Sequence, residues 1–331
     1  MRAREVRLKS RPVGTPAPEN FEIAEVEVPA PGPGAALVRN LWMSVDPYMR
    51  GRMYDRKSYV PPFQIGEALQ GGAVGQVVES NDPSLKPGDL VQSMLGWREA
   101  FTAPAASLEK LPESNAPPQA YLGVLGMPGL TAYAGLLEIG QPKAGETVFV
   151  SGGAGAVGSV VAQIAKIKGC RVVASVGAEE KAQWLKSLGV DAVVNYKNGG
   201  LLAAVQAAAP NGIDVYFDNV GGEHLEVALE LANPFARFVE CGMISQYNNT
   251  EPAPGPRNLI YVVGKSIKMQ GFIVIQFQHL RGQFLKDMTG WINEGRLKWE
   301  ETVEHGVENA PAAFLKLFSG ANTGKMLVKL A

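Results

Sequence analysis

Cysteine is nearly missing from this chain. Only Cys170 and Cys241 occur among 331 residues, and His224, His279 and His305 are its only imidazoles. No C-x-x-C or H-x-x-x-H spacing exists, so a zinc site of the usual kind cannot be assembled, and a disulfide framework is excluded. Such usage fits a reducing compartment, and a cytoplasmic location is expected. Neither sign of charge prevails: 31 Lys and Arg oppose 32 Asp and Glu, a formal net charge of −1. That balance lacks the broad basic footprint of a nucleic-acid binder and any basic tract for anionic membranes. Unbroken apolar runs are absent too. Ser114 to Leu137 is uncharged but interrupted by Pro117, Pro118, Gly123, Gly126, Pro128 and Gly129, and Thr147 to Ala165 carries a glycine cluster in its middle. Both predict buried elements of a sheet protein and no membrane span. Neither a G-x-S-x-G elbow nor a G-x-x-x-x-G-K-[ST] loop is present, which removes the chemistries they serve. The opening residues, with Val6 and Leu8 alternating among Arg2, Arg4, Arg7 and Lys9, predict a charged edge strand and no secretory leader.

What the chain does hold is apolar and turn-forming. Hydrophobic residues make up 46% and charged residues 19%, enough for large cores. At roughly 150 residues per domain the length predicts about two domains. Up to about residue 120, β-rich runs (Phe21 to Val28, Ala36 to Met43, Ala73 to Glu79, Asp89 to Met94) are separated by Pro/Gly turns such as Pro29 to Gly34, which predicts an all-β module. Beyond residue 140 the pattern becomes strand, helix, strand. Thr147 to Val150 is a short apolar strand; Gly155 to Lys168 places Val157, Val160, Val161 and Ile164 on one helical face; Arg171 to Val176 is a strand and Glu179 to Leu188 a helix. Ala192 to Asn195, Ile213 to Asp218 and Arg237 to Cys241 supply further strands. This alternation predicts an α/β fold with a doubly wound parallel sheet beside the β-rich module. From about Leu297 a strand, a helix near Ala310 to Phe318 and a strand at Lys325 to Lys329 form a tail too short to fold alone, expected to rejoin the first module. The expected divisions are 1–125, 126–296 and 297–331.

The strongest local signal is Ser151-Gly152-Gly153-Ala154-Gly155-Ala156-Val157-Gly158. Gly153, Gly155 and Gly158 form G-x-G-x-x-G, a weak pattern alone, but here it follows an apolar strand and opens an amphipathic helix. Without Cβ atoms, a pyrophosphate can approach the amides at the helix N-terminus, where the dipole favours it. The dinucleotide type is read at the end of the next strand, where a carboxylate would bind the ribose 2′-hydroxyl of NAD. Ser175-Val176-Gly177-Ala178 is small and uncharged there. Lys181 can neutralise a 2′-phosphate and Tyr196 can add a hydrogen bond, so NADPH is the expected cofactor.

Several strings together resemble one family: Val45-Asp46-Pro47-Tyr48-Met49-Arg50-Gly51-Arg52-Met53, Gly126-Met127-Pro128-Gly129-Leu130-Thr131-Ala132-Tyr133, the glycine loop, Phe217-Asp218-Asn219-Val220-Gly221-Gly222 and Cys241 to Asn248. In this order they resemble the zinc-independent medium-chain dehydrogenase/reductases, within them the prostaglandin reductase or leukotriene B4 dehydrogenase group that includes curcumin reductases. The resemblance spans nearly the whole chain. It implies a GroES-like β-rich domain, a Rossmann domain, a homodimer joined along Gly264 to Ile275, and NADPH-dependent reduction of the C=C bond of α,β-unsaturated ketones or aldehydes. Residue by residue it implies that Gly155, Ala156, Val157 and Gly158 cradle the pyrophosphate, and that Lys181 and Tyr196 hold the 2′-phosphate. Asn219, Cys241, Gly242, Met243, Ile244, Ser245 and Tyr247 would line the cofactor. Phe272, Ile273 and Val274 would meet the nicotinamide amide, and Asn322 would reach the cofactor from the tail.

Hydride delivered to a β-carbon leaves negative charge on the carbonyl oxygen, which a neutral hydroxyl in a dry pocket stabilises. Tyr261 matches the family tyrosine given that role and is the expected catalytic residue. Tyr48 and Met49 are expected to line the substrate pocket, with Tyr48 a reserve hydroxyl. No metal is expected. Two other readings remain open at this stage: an NADPH:quinone oxidoreductase of the same fold, and a non-catalytic NADPH-binding protein.

Overall fold

Strands that are apolar on both faces must be covered from both sides, and the middle of the chain supplies three such strands at the centre of a six-stranded sheet. The computed structural model describes residues 1–331 and divides into two compact units. The unit formed by residues 123–300 and 323–325 holds β1 (Thr147–Val150), β2 (Arg171–Val176), β3 (Ala192–Asn195), β4 (Ile213–Asp218), β5 (Ala232–Glu240) and β6 (Lys268–Gly271). They pair in the order β3-β2-β1-β4-β5-β6, every neighbour parallel. The linking helices are α1 (Gly158–Ile167), α2 (Glu179–Ser187), α3 (Leu201–Ala208) and α4 (Glu223–Leu231). This is the doubly wound dinucleotide-binding order, in which the chain reverses its direction of travel between β1 and β4. Phe149, Tyr216 and Phe238 sit side by side on β1, β4 and β5 with centroids 5.3 and 5.2 Å apart, and they anchor a core completed by α3 and α4.

The expected elements differ from the observed ones where the backbone bends. Helix α1 starts at Gly158, because Gly155 to Val157 belong to the turn. Strand β5 begins five residues earlier than Arg237. The apolar strand expected from Gly264 to Ile275 is only Lys268–Gly271, preceded by a helical turn, Tyr261–Gly264, and followed by a 3-10 segment, Val274–Leu280. Ser266 adopts φ +51°, a left-handed conformation that cannot continue a strand.

The other unit comprises residues 1–122, 301–322 and 326–331. Its seven-stranded sheet runs Glu301–His305, Lys325–Lys329, Ala35–Ser44, Ala73–Ser80, Leu90–Ser93 and Glu109–Lys110, with Ala100–Pro104 also pairing on Ala35–Ser44. Arg2–Leu8 and Phe21–Glu27 form a separate antiparallel pair. The terminal helix Ala310–Ser319 brings Phe314 edge-on to Trp97 at 6.0 Å, and Trp97 stacks on Phe21 at 6.1 Å. The tail helix thus fills the core of this unit, burying an apolar face that would be exposed in isolation.

Candidate active site

In an open parallel sheet, ligands bind outside the carboxyl ends of the strands at the point where strand order reverses. One rim of this sheet collects the turns that leave those ends. They are Gly152 to Val157 after β1, Gly177 and Ala178 after β2, Tyr196 and Lys197 after β3, Asn219 to Gly222 after β4, Cys241 to Tyr247 after β5, and Phe272 to Val274 after β6. A Cβ on Gly158 would lie 2.4 Å from the Gly152 carbonyl oxygen, and one on Gly153 2.7 Å from the Ala174 Cβ, so both positions admit only glycine. Above Gly155 the only nearby atom is the Gly152 oxygen, at 3.4 Å. The amides of Ser159, Val160 and Val161 donate to the carbonyls of Gly155 and Val157, so it is the turn at Ala156 to Gly158, at the positive dipole end of α1, that faces an anion. This open cradle fits a pyrophosphate. The tail contributes to it in a way the sequence did not disclose: the Gly324 amide donates to the Ala154 carbonyl at 2.8 Å and pins the loop.

A second seat lies over Gly177. A Cβ there would meet the Tyr196 hydroxyl at 2.7 Å and Lys197 Cε at 3.3 Å. Half-buried Lys181 has its pKa lowered, first by burial and then by repulsion from Lys197. Two ammonium groups pressed toward one uncharged strand end, beside a phenol, fit a dianionic 2′-phosphate. Lys197 was not singled out in the sequence, where nothing local sets it apart from other lysines. His224 supports the seat from below. It is buried, its ring meets Tyr196 edge-on at 5.2 Å, and burial lowers its pKa to about 4. A neutral imidazole of that kind is packing material and not a general base.

At the switch point Asp218 organises the turns. Its buried Oδ1 accepts from Ser151 Oγ and from the amides of Val220 and Gly221, each at 2.8 Å. Ser151 Oγ accepts from the Asn219 amide, and Asn219 Nδ2 donates to the Ser151 carbonyl, both at 2.8 Å. The amides of Cys241 and Gly242 donate to the Asp218 carbonyl at 3.0 Å, and those of Ile244 and Ser245 to Asn219 and Val220 at 3.2 Å. Ser245 Oγ also donates to the Val220 carbonyl at 2.6 Å, and the Met243 amide donates to the Tyr247 hydroxyl at 3.3 Å. Glu240, opposite Asp218 in register, has its pKa pushed up to about 8, first by burial and second by the Asp218 charge. Burial also pushes the Cys241 thiol up to about 12, so it is no nucleophile at neutral pH. Phe272 packs edge-on to Phe277 at 5.8 Å, and the Ile273 amide donates to Gln276 Oε1 at 3.2 Å.

Two expected site residues fall elsewhere. Tyr261 precedes β6, whereas the cofactor rim follows it, so in a parallel sheet it lies at the opposite end. Its hydroxyl donates to Glu230 Oε1 at 3.2 Å, in the last turn of α4. Lys265 covers its ring at 4.5 Å and caps the Leu229 and Glu230 carbonyls. Helix α4 leaves the rim at Gly222 and has nine residues, about 13 Å of length at 1.5 Å per residue. Tyr261 therefore closes the far end of that helix and is not placed to stabilise an oxyanion at the rim. Met49 is fully buried in the β-rich core and presents no surface to a ligand, which corrects its assignment to a pocket wall. Tyr48 is half-buried in the same unit, and Asn322 follows the terminal helix there.

Residues 4–111 match the family described as the N-terminal domain of oxidoreductase, and residues 156–290 the family described as zinc-binding dehydrogenase. The chain is 44% identical to the NADPH-dependent curcumin reductase of Escherichia coli (strain K12), covering 98% of this chain and 96% of that protein. It is 44% identical to prostaglandin reductase 1 of Bos taurus, covering 97% of each. The crystal structure of CurA in complex with NADPH from Vibrio vulnificus superposes with a TM-score of 0.95 at 44% identity, over 99% of both chains. The chain belongs to the medium-chain dehydrogenase/reductase superfamily, in the group that holds curcumin reductase and prostaglandin reductase.

Replacing Lys181 or Lys197 by alanine should raise the KM for NADPH about tenfold each, the size of one charge-assisted hydrogen bond, and leave the KM for NADH within about twofold. Steady-state kinetics with both coenzymes decide it, and equal losses for NADH would move the lysines off the 2′-phosphate. The raised pKa of Glu240 also has a sign that can be tested. The folded chain holds a proton that the unfolded chain releases, so this stabilisation is complete below the ordinary value of 4.5 and is lost as pH rises through about 8. Urea midpoints measured across that window should fall with pH in the wild type, and Glu240→Gln should flatten the slope.

Proposed function

We propose that the chain is an NADPH-dependent oxidoreductase that reduces the C=C bond of α,β-unsaturated ketones and aldehydes. The observation that carries this reading is the rim with its glycine turn and paired Lys181 and Lys197, found in a chain 44% identical to an NADPH-dependent curcumin reductase. The glycine turn would bind the pyrophosphate, Lys181, Tyr196 and Lys197 the 2′-phosphate, and the turns at Asn219, Cys241 to Tyr247 and Phe272 to Val274 the nicotinamide half. Bound NADPH would supply a hydride for the β-carbon of the alkene. The protein's part is then to hold the carbonyl, stabilise the negative charge gathering on its oxygen, and let water protonate the α-carbon. NADPH oxidation should be rapid with an enal, a linear enone or a diaryl dienone, and the product should gain two hydrogens with its carbonyl retained. Turnover confined to a simple quinone, or reduction of the carbonyl itself, would overturn the reading.

A homodimer is part of this proposal. β6 is the edge of its sheet, and near it Phe235, Leu259, Ile260, Val263 and Ile275 are exposed apolar side chains, a combination that favours pairing with a second copy. Light scattering should give twice the chain mass of 35.3 kDa, and a monomer mass at micromolar concentration would refute it. Two free thiols without a disulfide favour a cytoplasmic setting.

A further inference from the structure

Phe272 opens the turn that follows β6, and the place of its ring is decided by a residue far away in the chain. Helix Met127–Ala134 runs on into a π turn, Gly135–Gly140. The Gln141 amide closes it by donating to the Leu136 carbonyl, five residues back, at 2.8 Å. Both ends of that turn are glycine, and both lie on the sheet. A Cβ on Gly135 would stand 2.7 Å from Phe272 Cζ and 2.8 Å from Phe217 Cε2, and one on Gly140 3.1 Å from Val215 Cγ1 and 3.3 Å from Val239 Cγ2. Successive residues of an α-helix turn by ~100°, so two residues five apart would face directions about 140° apart. The bond from i to i+5 in a π turn brings them toward one face. Arg237 holds the far end there, its Nε donating to the Gly140 carbonyl at 3.0 Å and its Nη2 to the Gln141 carbonyl at 3.1 Å.

Backbone conformation does not call for glycine at position 135. Its φ of −59° and ψ of −45° are those of any helical residue, and alanine there would strengthen the helix. What the position needs is room. Phe217 is fully buried in β4 and Phe272 is 9% exposed, and Phe272 also meets Phe277 edge-on at 5.8 Å. Carbon atoms in contact rest at about 3.5–4.0 Å, so the missing methyl leaves a slot about 1 Å deeper than a side chain would allow. Phe217 is fixed by the pairing of β4 with β1 on one side and β5 on the other. Phe272 stands just past the edge strand β6, so a larger residue at 135 would push the Phe272 ring and the turn that carries it.

We propose that Gly135 is a positioning residue for hydride transfer: the slot it leaves seats the Phe272 ring against β4 and thereby sets where the turn Phe272 to Val274 holds the nicotinamide amide. The proposal rests on the reading of the chain as an NADPH-dependent enone reductase. In that reaction the β-carbon receives the hydride with its electron pair and the α-carbon a proton from water, so the alkene is reduced as the coenzyme is oxidised. Donor and acceptor carbons must meet at about 3–3.5 Å, and a displacement of about 1 Å costs up to about a hundredfold in rate. The glycine turn and the lysines over Gly177 lie at other strand ends. A shift of Phe272 therefore leaves the phosphate contacts alone and moves the nicotinamide end.

Gly135→Ala, Gly140→Ala, Phe272→Leu and the Gly135→Ala/Phe272→Leu double variant test it. For each, kcat with an enone, NADPH affinity, the thermal midpoint and the anisotropy of nicotinamide fluorescence from bound NADPH are measured. Gly135→Ala should lower kcat about tenfold, short of the hundredfold bound because the ring yields part of the way. It should keep NADPH affinity within about threefold, since the phosphate contacts carry most of it, and lower the anisotropy as the nicotinamide end loses its fixed seat. Phe272→Leu should cost about threefold in kcat alone and the double variant about the same, because both changes act through one contact. Gly140→Ala, which meets Val215 and Val239 on the same turn, should lower the thermal midpoint and leave kcat within about twofold. Wild-type kcat in Gly135→Ala, a double-variant loss equal to the product of the single losses, or a Gly140→Ala loss as large as that of Gly135→Ala overturns the proposal. If Gly135→Ala does not fold, Phe272→Leu decides alone, and unchanged kcat and anisotropy in it overturn the proposal. Wild-type protein that binds NADPH but reduces no enone overturns the functional reading instead, and the anisotropy of the variants still judges the slot.

Discussion

One buried carboxylate holds the corner where the sheet changes direction. Asp218 has no exposed surface, and a desolvated carboxylate persists only where donors surround it. Ser151 at the end of β1 and the amides of Val220 and Gly221 donate to one of its oxygens, Oδ1, and those bonds shape the turn, while the buried Oδ2 has no hydrogen-bond partner. The Asp218 carbonyl then receives the amides of Cys241 and Gly242, which ties the turn after β5 to the turn after β4. Glu240 beside it holds a proton because a second charge in that place would be unshielded. Three strand ends are thereby held in one arrangement, and the cofactor rim is a consequence of it.

The chain is nearly neutral as a whole, yet the seat over Gly177 gathers Lys181 and Lys197 against a strand end without a carboxylate. Their mutual repulsion is a cost in the unliganded protein, and a dianion relieves it. The glycine cradle offers amides without competition from side chains. On the proposed reading a phosphorylated dinucleotide would be bound in two complementary ways, by backbone dipoles at the pyrophosphate and by full charges at the 2′-phosphate.

Much of this was legible in the chain. The apolar run Thr147 to Val150, the glycine cluster and the 3.6-residue period of Val157 to Ile164 announce a strand, a turn and a helix, because each is a short-range pattern with a short-range cause. Ser175 to Ala178 announced the missing carboxylate. Met49, Tyr261 and Lys197 were not legible in the same way. A methionine beside a functional motif looks the same whether its side chain meets the core or a ligand. A tyrosine ten residues ahead of Gly271 looks close to the rim until the direction of β6 puts it at the other end. Lys197 acquires meaning only when β3 is laid beside β2. Gly324, just ahead of the tail strand, carries no local signal, and its role is seen only when its amide is found on the Ala154 carbonyl.

Local pattern and composition were enough for the class of fold, the dinucleotide, its phosphate and the absence of a zinc ligand set, since each depends on a few neighbouring residues and on counts. The assembly of the rim was not contained in any window of the chain. It arises from strand order and strand direction, which bring together turns from six separate stretches and separate residues that are close in number. Parallel pairing gives every strand a front and a back end, and a side chain's chemistry counts only at the end where the ligand lies.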